Sequence, residues 1–303
     1  MNERPNIDTR WTQSLRRGEQ PSHENLCDHL KAVHRDNAGF TESCASQCRD
    51  HEGRNSYELL ADCIDPERHQ TVLDLGCGSG VLLEICDQRF GSRLKLMGVD
   101  MSAEELALAR ARLPDASIGL HEGVAQSLPF IADASIDVVL CHWALTLMDD
   151  VPLVLAEVKR VLKPGGVFAA IVDGDASTAP GYADIHDLIY RAVQREYPDY
   201  GAIDLGDRRV RTAQALMALA AASFAGDEVR IKPAVLRLSA TSDVLAREAA
   251  GFFYASFVLS PEFHQQMLED LEAFFAGQGS AGRSRFSMPV NKLVVERTTV
   301  SSP

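Results

Sequence analysis

Short apolar runs, bounded by glycine, proline or polar residues, recur through the central and C-terminal parts of the chain. Seven of them are rich in Val, Ile and Leu and predict strands; they cover 71–75, 94–99, 117–120, 136–140, 167–172, 229–238 and 290–295. The stretches that follow the first, second and fourth runs predict helices. Strands that alternate with helices predict an α/β domain with a mostly parallel sheet.

Further helical patterns lie outside this alternation. Two precede the first strand, one beginning near Ser22 and one covering about 56–64, whereas residues 1–21 are polar and predict a disordered or loosely attached arm. After the fifth strand the pattern is again helical, at about 174–226 and 243–276. We therefore predict an N-terminal region, 1–65, and an α/β domain, 66–303, that carries helical additions.

The most specific sequence motif lies between the first predicted strand and the helix that follows it. Residues 72–80 read Val-Leu-Asp-Leu-Gly-Cys-Gly-Ser-Gly, and apolar residues at helical spacing follow from Val81. Glycine is needed where the backbone takes a positive φ or passes close to a ligand. A dinucleotide fingerprint, G-x-G-x-x-G, would require a third glycine at Val81 or Leu83, so a nicotinamide oxidoreductase is disfavoured.

The pattern Asp74-x-Gly76-x-Gly78-x-Gly80 resembles the first motif of class I S-adenosylmethionine (SAM) methyltransferases. A carboxylate before the glycines would repel a pyrophosphate but suits this cofactor, which carries an ammonium and a sulfonium. The resemblance implies a seven-stranded, Rossmann-like sheet of order 3-2-1-4-5-7-6 with the last strand antiparallel. It also implies an N-terminal helical lid over the site; a helical layer without a binding role remains the alternative.

Three later segments extend the resemblance in the family's order. Residues 122–130 resemble its G-D-A-x-x-L-P-F segment, with Val124 in place of the aspartate; residues 136–140 match its F-D-x-V segment; and 163–166 read Lys-Pro-Gly-Gly. We expect the last segment to end the preceding helix. An acid at the end of the second strand, Asp100, is placed to accept hydrogen bonds from both ribose hydroxyls.

These observations define the expected cofactor site. Its predicted residues are Asp74, Gly76, Cys77, Gly78, Gly80, Asp100, Met101, Val124, Ala125, Gln126 and Cys141. Met101 is expected to cover one face of the adenine. Gln126 or the backbone of Ala125 is expected to replace the missing aspartate at the adenine amino group.

The acceptor side is less sharply defined. His142 follows the fourth strand, where ligands bind in open α/β sheets, and it could act as a base, ligate a metal or form a plain wall. His186 and Tyr190 are one helical turn apart, so their side chains can meet. The candidate catalytic or metal-binding residues are His142, His186 and His264. The candidate acceptor-binding residues are Tyr57, Trp143, Tyr190, Tyr254 and Arg285.

Composition narrows the classes of partner. Of 303 residues, 30 are Lys or Arg and 43 are Asp or Glu, so the formal charge is −13, which argues against a nucleic-acid partner. No apolar run approaches the roughly 20 residues of a membrane span, and none near the N-terminus predicts a signal peptide. The seven cysteines, an odd number, favour free thiols in a reducing cytoplasm. Cys44-x-x-x-Cys48 lacks the second pair that a zinc site would require.

The sequence thus predicts a cytoplasmic SAM-dependent methyltransferase that acts on a small metabolite by in-line transfer, with a homodimer left open. Methylation at nitrogen or oxygen, carbon methylation of an enolisable 2-oxo acid with histidine or metal assistance, and a non-catalytic SAM-binding partner or regulatory protein all remain open. For the 2-oxo acid, Arg285 would bind the carboxylate.

Overall fold

A single seven-stranded sheet organises the chain. In the computed structural model, which describes residues 7–113, 115–202, 205–279 and 282–299, the strand order is β3-β2-β1-β4-β5-β7-β6. The strands are β1 (Thr71–Leu75), β2 (Lys95–Asp100), β3 (Gly119–Glu122), β4 (Ile136–His142), β5 (Leu162–Asp173), β6 (Glu228–Ala240) and β7 (Ser284–Glu296). All seven predicted strands are present, and the predicted order is confirmed.

The pairing pattern also agrees with the prediction. β1 pairs in parallel with β2 and β4, β3 extends the sheet beyond β2, and β5 joins β4 in parallel. β7 runs antiparallel to β5, with Ala170 opposite Leu293. The chain order reverses between β1 and β4, so the carboxyl ends of these two strands flank a topological switch point, where ligands bind in open α/β sheets.

Eleven α-helices are assigned within the described residues. They are α1 (Arg10–Arg16), α2 (His23–Asn37), α3 (Glu42–Gln47), α4 (Ser56–Ala61), α5 (Val81–Phe90), α6 (Ala103–Arg112), α7 (Val151–Val161), α8 (Tyr182–Gln194), α9 (Ala213–Ser223), α10 (Ser242–Phe252) and α11 (Pro261–Gln278). Capping residues fix several starts: Ser22 accepts from the Asn25 amide at α2, and Asn55 forms a reciprocal capping pair with Glu58 at α4.

The expected end of α7 is wrong in detail. The helix ends at Val161, and residues 163–166 form the irregular start of β5 instead of the last turn of the helix. The register between β4 and β5 shifts there, and Gly165 has φ +77°. A Cβ on Gly166 would lie 2.8 Å from the Asp137 carbonyl oxygen, so this glycine allows close strand contact.

The chain forms two compact units. Within the described residues, the first contains 7–53, 176–202, 235–279 and 282–289, and the second contains 54–113, 115–175, 205–234 and 290–299. The N-terminal helices up to α3 thus belong with α8, α10 and α11. In contrast, α4, which the sequence assigned to the N-terminal region, belongs to the unit that holds the central strands.

Within the first unit, the N-terminus departs from expectation. The disordered arm predicted over 1–21 is wrong for α1, where Trp11 and Leu15 are each 1% exposed and Trp11 stacks on His29 with ring centroids 4.6 Å apart. A helix of seven residues is too short to show periodicity within a polar segment, so the pattern misses it. Residues 1–6, also part of the predicted arm, lie outside the described residues.

Within the second unit, the core holds the strand ends in place. Leu73 and Leu75 of β1, Val139 of β4 and Phe168 of β5 are fully buried and pack in one cluster with the apolar face of α7. Burial of large aliphatic and aromatic side chains on this scale is the main force that fixes the sheet. Among the described residues, no helix is both long and apolar enough to cross a membrane.

Candidate functional site

The three glycines in the turn between β1 and α5 differ in what surrounds them. Gly76, Gly78 and Gly80 have φ of +75°, +49° and +83°. A Cβ on Gly76 would lie 2.3 Å from the Ala144 Cβ, and one on Gly80 would lie 3.1 Å from the Ala109 Cβ, so these two glycines allow close packing. A Cβ on Gly78 would meet only a Glu105 carboxylate oxygen, at 3.7 Å. Gly78 is therefore the glycine whose Cα position borders open space.

The Asp100 carboxylate closes this turn from the end of β2. Its Oδ2 accepts a hydrogen bond from the Gly78 amide at 2.8 Å, and its Oδ1 accepts from the Ser102 amide at 2.8 Å. Ser102 in turn caps α6 by accepting from the Glu105 amide. Each carboxylate oxygen has a further lone pair, so Asp100 can still accept from a ligand hydroxyl. The predicted ribose contact remains a prediction.

Asp74 lies beneath the turn in an unusual state. It is 1% exposed, and its Oδ1 has no hydrogen-bond partner within the described part of the chain. Burial, and after it the negative charge of Asp100, raises the pKa of Asp74 to about 8. An uncompensated buried carboxyl destabilises a fold unless it serves a ligand or neutralises itself by keeping its proton.

Together these residues fit a cationic nucleoside ligand. The glycine opening at Gly78 allows close approach, Asp74 offers an unpartnered carboxyl oxygen, and Asp100 is already oriented at the adjacent strand end. The ammonium of SAM would compensate the buried acid, and Asp100, at the end of β2, would accept from the ribose hydroxyls. Gly76, Cys77 and Gly80 form the frame of this turn, in which the amides of Gly76 and Cys77 both donate to the Val99 carbonyl.

The predicted adenine contacts lie in the segment after β3 and in the residue that follows β2. Val124 is 41% exposed, Ala125 is buried, and Met101 is half-buried after β2. The Gln126 side-chain amide donates to the Asp149 carbonyl oxygen at 3.1 Å. Its NH₂ group therefore ties two loops of this unit together, whereas an amino group of adenine would donate to the Gln126 Oε1 or to a backbone carbonyl. Both contacts expected at the adenine amino group remain predictions.

Cys141 and His142 at the end of β4 point to opposite faces, as successive strand residues do. The Cys141 thiol is fully buried in the core, and burial raises its pKa to about 12. Any contact of Cys141 with a cofactor would therefore come from its backbone.

His142 is half-buried and is held on several sides. Its Nε2 lies 2.8 Å from the Ser56 Oγ, the Tyr57 ring stacks on it at 3.7 Å, and the Trp143 ring meets its edge at 5.0 Å. Burial lowers the pKa of His142 to about 3, so the imidazole is neutral at pH 7. The sequence did not single out Ser56, because nothing in its immediate neighbours distinguishes it from an ordinary helix-start serine.

Trp143 has a strained backbone. Its φ is +56°, a conformation that costs about 1–3 kcal/mol for a bulky residue. The indole Nε1 donates to the Asp173 Oδ1 at 3.2 Å, and the Trp143 amide donates to the Ile171 carbonyl. Strained backbone conformations of this kind are most common at functional sites, where surrounding contacts stabilise them.

The remaining predicted acceptor residues belong to the first unit. His186 stacks on Tyr190 with centroids 3.9 Å apart, which confirms that these side chains meet. Tyr254 Oη lies 2.8 Å from the His34 Nε2. His264 is half-buried on α11, and Arg285 is exposed on β7. Their predicted roles remain predictions.

No group of three or more His, Cys, Asp or Glu side chains is placed to hold a metal ion in the part of the chain that the structure describes. A catalytic or metal-binding role for His142, His186 or His264 remains a prediction. Cys44 and Cys48 are buried with their sulfurs 3.8 Å apart, and all seven cysteines are free thiols.

Comparison with known proteins identifies the domain. Residues 73–170, which contain the glycine turn, Asp100 and the end of β4, match the family model described as a methyltransferase domain. The chain carries a class I, Rossmann-like methyltransferase domain. SAM is the cofactor of this domain class, and the acid pair and glycine opening fit it.

Curated relatives share this domain but differ in what they act on. The chain is 38% identical over 104 residues to an arsenite methyltransferase from Aquipseudomonas alcaligenes, covering 31% of this chain and 30% of the relative. It is 34% identical over 126 residues to a malonyl-[acyl-carrier protein] O-methyltransferase from Pectobacterium atrosepticum, covering 41% and 47%. The chain thus spans about half or less of the length of these relatives.

A solved structure supports the fold over more of the chain. Phosphoethanolamine N-methyltransferase 2 from Haemonchus contortus, in complex with S-adenosyl-L-methionine, superposes with a TM-score of 0.55 at 16% identity, covering 90% of this chain and 60% of that one. At this identity the similarity establishes the fold alone.

The different surroundings of the glycines give a first prediction. Gly78→Ala should weaken binding of S-adenosylhomocysteine at least roughly tenfold, because the added methyl enters the space the ligand needs, yet cost only about 1–2 kcal/mol of stability for its backbone conformation. Gly76→Ala should lower the unfolding temperature more, because its Cβ meets Ala144. Gly53→Ala, with φ +85° and no atom within 4 Å of its Cβ, is the matched control for backbone strain.

These effects are measured by calorimetric titration and thermal unfolding of each variant. If Gly78→Ala and Gly76→Ala lost the same ligand affinity and the same stability as each other, the result would contradict the assignment of Gly78 to the ligand and Gly76 to packing.

The raised pKa of Asp74 gives a second prediction. Between about pH 4 and pH 8 the unfolded carboxyl is ionised while the folded one keeps its proton, so the ligand-free protein should lose stability as pH rises through this window. Asp74→Asn removes this contribution. The variant's free energy of unfolding relative to wild type should therefore rise by up to about 1.4 kcal/mol per pH unit from pH 5 to pH 7.5.

Urea unfolding at a series of pH values measures this difference. Asp28→Asn, at an exposed carboxyl on α2, should show no such trend. A pH-independent difference for Asp74→Asn would show that the buried carboxyl is not protonated in the folded protein.

Proposed function

We propose that this protein is a SAM-dependent methyltransferase that acts on a small-molecule acceptor. The observation that carries the proposal is the buried, unpartnered Asp74 carboxyl beside a glycine turn that opens only at Gly78. Ionising this carboxyl is costly without a cation, and the methyltransferase domain that contains it takes a cationic cofactor.

The chemistry requires little of the protein beyond alignment. Bound SAM supplies an electrophilic methyl group on its sulfonium. The residues of this chain hold the cofactor through Asp74, Asp100 and the opening at Gly78, and they align the acceptor with the methyl group. No covalent nucleophile from the protein is needed. The rigid edge formed by Tyr57, His142 and Trp143 supports a role in acceptor placement.

The net charge of the chain narrows the class of acceptor, whereas the named acceptors of the relatives do not. A net charge of −13 disfavours nucleic acid. The relatives' names give acceptors as different as arsenite and malonyl-[acyl-carrier protein], so homology does not choose one. We propose an amino-acid-derived or secondary metabolite as acceptor, and, from the seven free cysteines, a cytoplasmic enzyme. A homodimer stays a prediction from the sequence.

Transfer of labelled methyl groups tests this function. The protein is incubated with methyl-labelled SAM and chemically sorted panels of amines, phenols, thiols and 2-oxo acids, and with a metabolite extract. Label should appear in the small-molecule fraction and not in protein or nucleic acid. Asp100→Ala should lower transfer at subsaturating SAM by roughly 10- to 100-fold, because a hydrogen-bonding charged group is lost; Asp28→Asn serves as the control.

Two results would contradict the proposal in different ways. S-adenosylhomocysteine binding without transfer to any acceptor would favour a non-catalytic SAM-binding protein. Failure to bind the cofactor product at all would remove the proposed function. Label found on carbon of a 2-oxo acid would select the carbon-methylation alternative over transfer to nitrogen or oxygen.

A further inference from the structure

Ser56, the first residue of α4, is a buried hydroxyl with one visible partner. It is 0% exposed, and its Oγ lies 2.8 Å from the His142 Nε2. The two residues are 86 positions apart in the chain, and both belong to the second unit. A contact this short to a fully buried hydroxyl fixes the imidazole ring as well as the hydroxyl.

The donors and acceptors available to Ser56 and His142 determine which of the two residues donates this hydrogen bond. If His142 Nε2–H donated to Ser56, the Ser56 O–H would need another acceptor, and no other hydrogen bond of its hydroxyl is found among the described residues. A buried donor without an acceptor costs about 1–3 kcal/mol. If the Ser56 O–H instead donates to Nε2, every buried donor of the pair is satisfied. The neutral imidazole then carries its proton on Nδ1.

The ring is held so that Nδ1 keeps a fixed direction. Tyr57 stacks on one face at 3.7 Å with an interplanar angle of 21°, and Trp143 stands perpendicular to the ring at 5.0 Å. The Nδ1 atom itself makes no hydrogen bond within the described residues, and the half-buried side chain leaves it accessible.

The position of His142 relates this nitrogen to the cofactor site. It is the last residue of β4, which neighbours β1 at the topological switch point of the sheet. The loop that follows touches the glycine turn, since a Cβ on Gly76 would lie 2.3 Å from the Ala144 Cβ. A ligand bound beyond these strand ends therefore meets the edge of His142.

We propose that Ser56 is a positioning residue that commits His142 to the Nδ1–H tautomer, so that this nitrogen donates a hydrogen bond to a carbonyl or carboxylate oxygen of the methyl acceptor. The inference rests on the proposed function and specifies its substrate class. His142 on this account orients an oxygen-bearing acceptor and does not withdraw its proton. The depressed pKa agrees, because an imidazole that protonates only near pH 3 is a weak base at pH 7.

Nitrogen-15 NMR of the full-length protein tests the tautomer directly. In protein labelled at histidine, long-range proton–nitrogen spectra distinguish protonated from unprotonated ring nitrogens, and His142→Asn assigns the His142 signals by their loss. In the presence of S-adenosylhomocysteine, wild type should show one neutral tautomer with the proton on Nδ1. Ser56→Ala should convert it to a mixture of tautomers, and Ser56→Thr should restore the wild-type pattern.

Ser242→Ala is the matched control, because Ser242 also occupies the first position of a helix, α10, and it should leave the His142 signals unchanged. A proton on Nε2, an imidazolium at pH 7, or an unchanged tautomer in folded Ser56→Ala would each overturn the proposal. Should Ser56→Ala fail to fold, the wild-type tautomer still decides.

The spectrum is independent of the transfer assay. A protein that binds S-adenosylhomocysteine and shows the Nδ1–H tautomer, yet transfers methyl only to molecules without an oxygen acceptor, would retain the proposed function but overturn this substrate class. Loss of cofactor binding would overturn the function without altering the tautomer.

Discussion

A buried carboxyl that the protein itself leaves without compensation lies at the centre of this structure. Asp74 is enclosed by the central strands, next to the negative charge of Asp100, and one of its oxygens has no partner among the described residues. A fold tolerates such a group by keeping it protonated or by supplying a cation from outside. The cofactor of the methyltransferase domain carries positive charge, so it can supply this cation.

The three glycines of the turn that follows this acid differ in their packing. Gly76 and Gly80 bring the turn against Ala144 and Ala109, whereas Gly78 borders open space and donates its amide to Asp100. The same hydrogen bond orients Asp100 before any ligand arrives. Preorganisation of this kind reduces the entropy lost on binding, and it links the strand ends, the turn and the first turn of α6 into one rigid frame.

The parts of this site that lie within one stretch of chain were predictable from the sequence. The alternation of apolar runs predicts the strands, and the spacing of Asp74 and its glycines predicts the turn, because both depend on neighbouring residues. The contact between Ser56 and His142 joins positions 86 residues apart and has no local signature. The pattern also could not show that Gln126 uses its amide to hold the Asp149 carbonyl, since that depends on how two loops pack.

Proton release on ligand binding tests the central claim most directly. Binding of S-adenosylhomocysteine, whose ammonium would lie near Asp74, is measured by calorimetry at pH 6.5 in buffers of different ionisation enthalpy. The account predicts that binding to wild type releases a substantial fraction of a proton, because the cation favours the ionised carboxyl, and that Asp74→Asn releases much less. Binding with no proton release, or with equal release in both proteins, would contradict it.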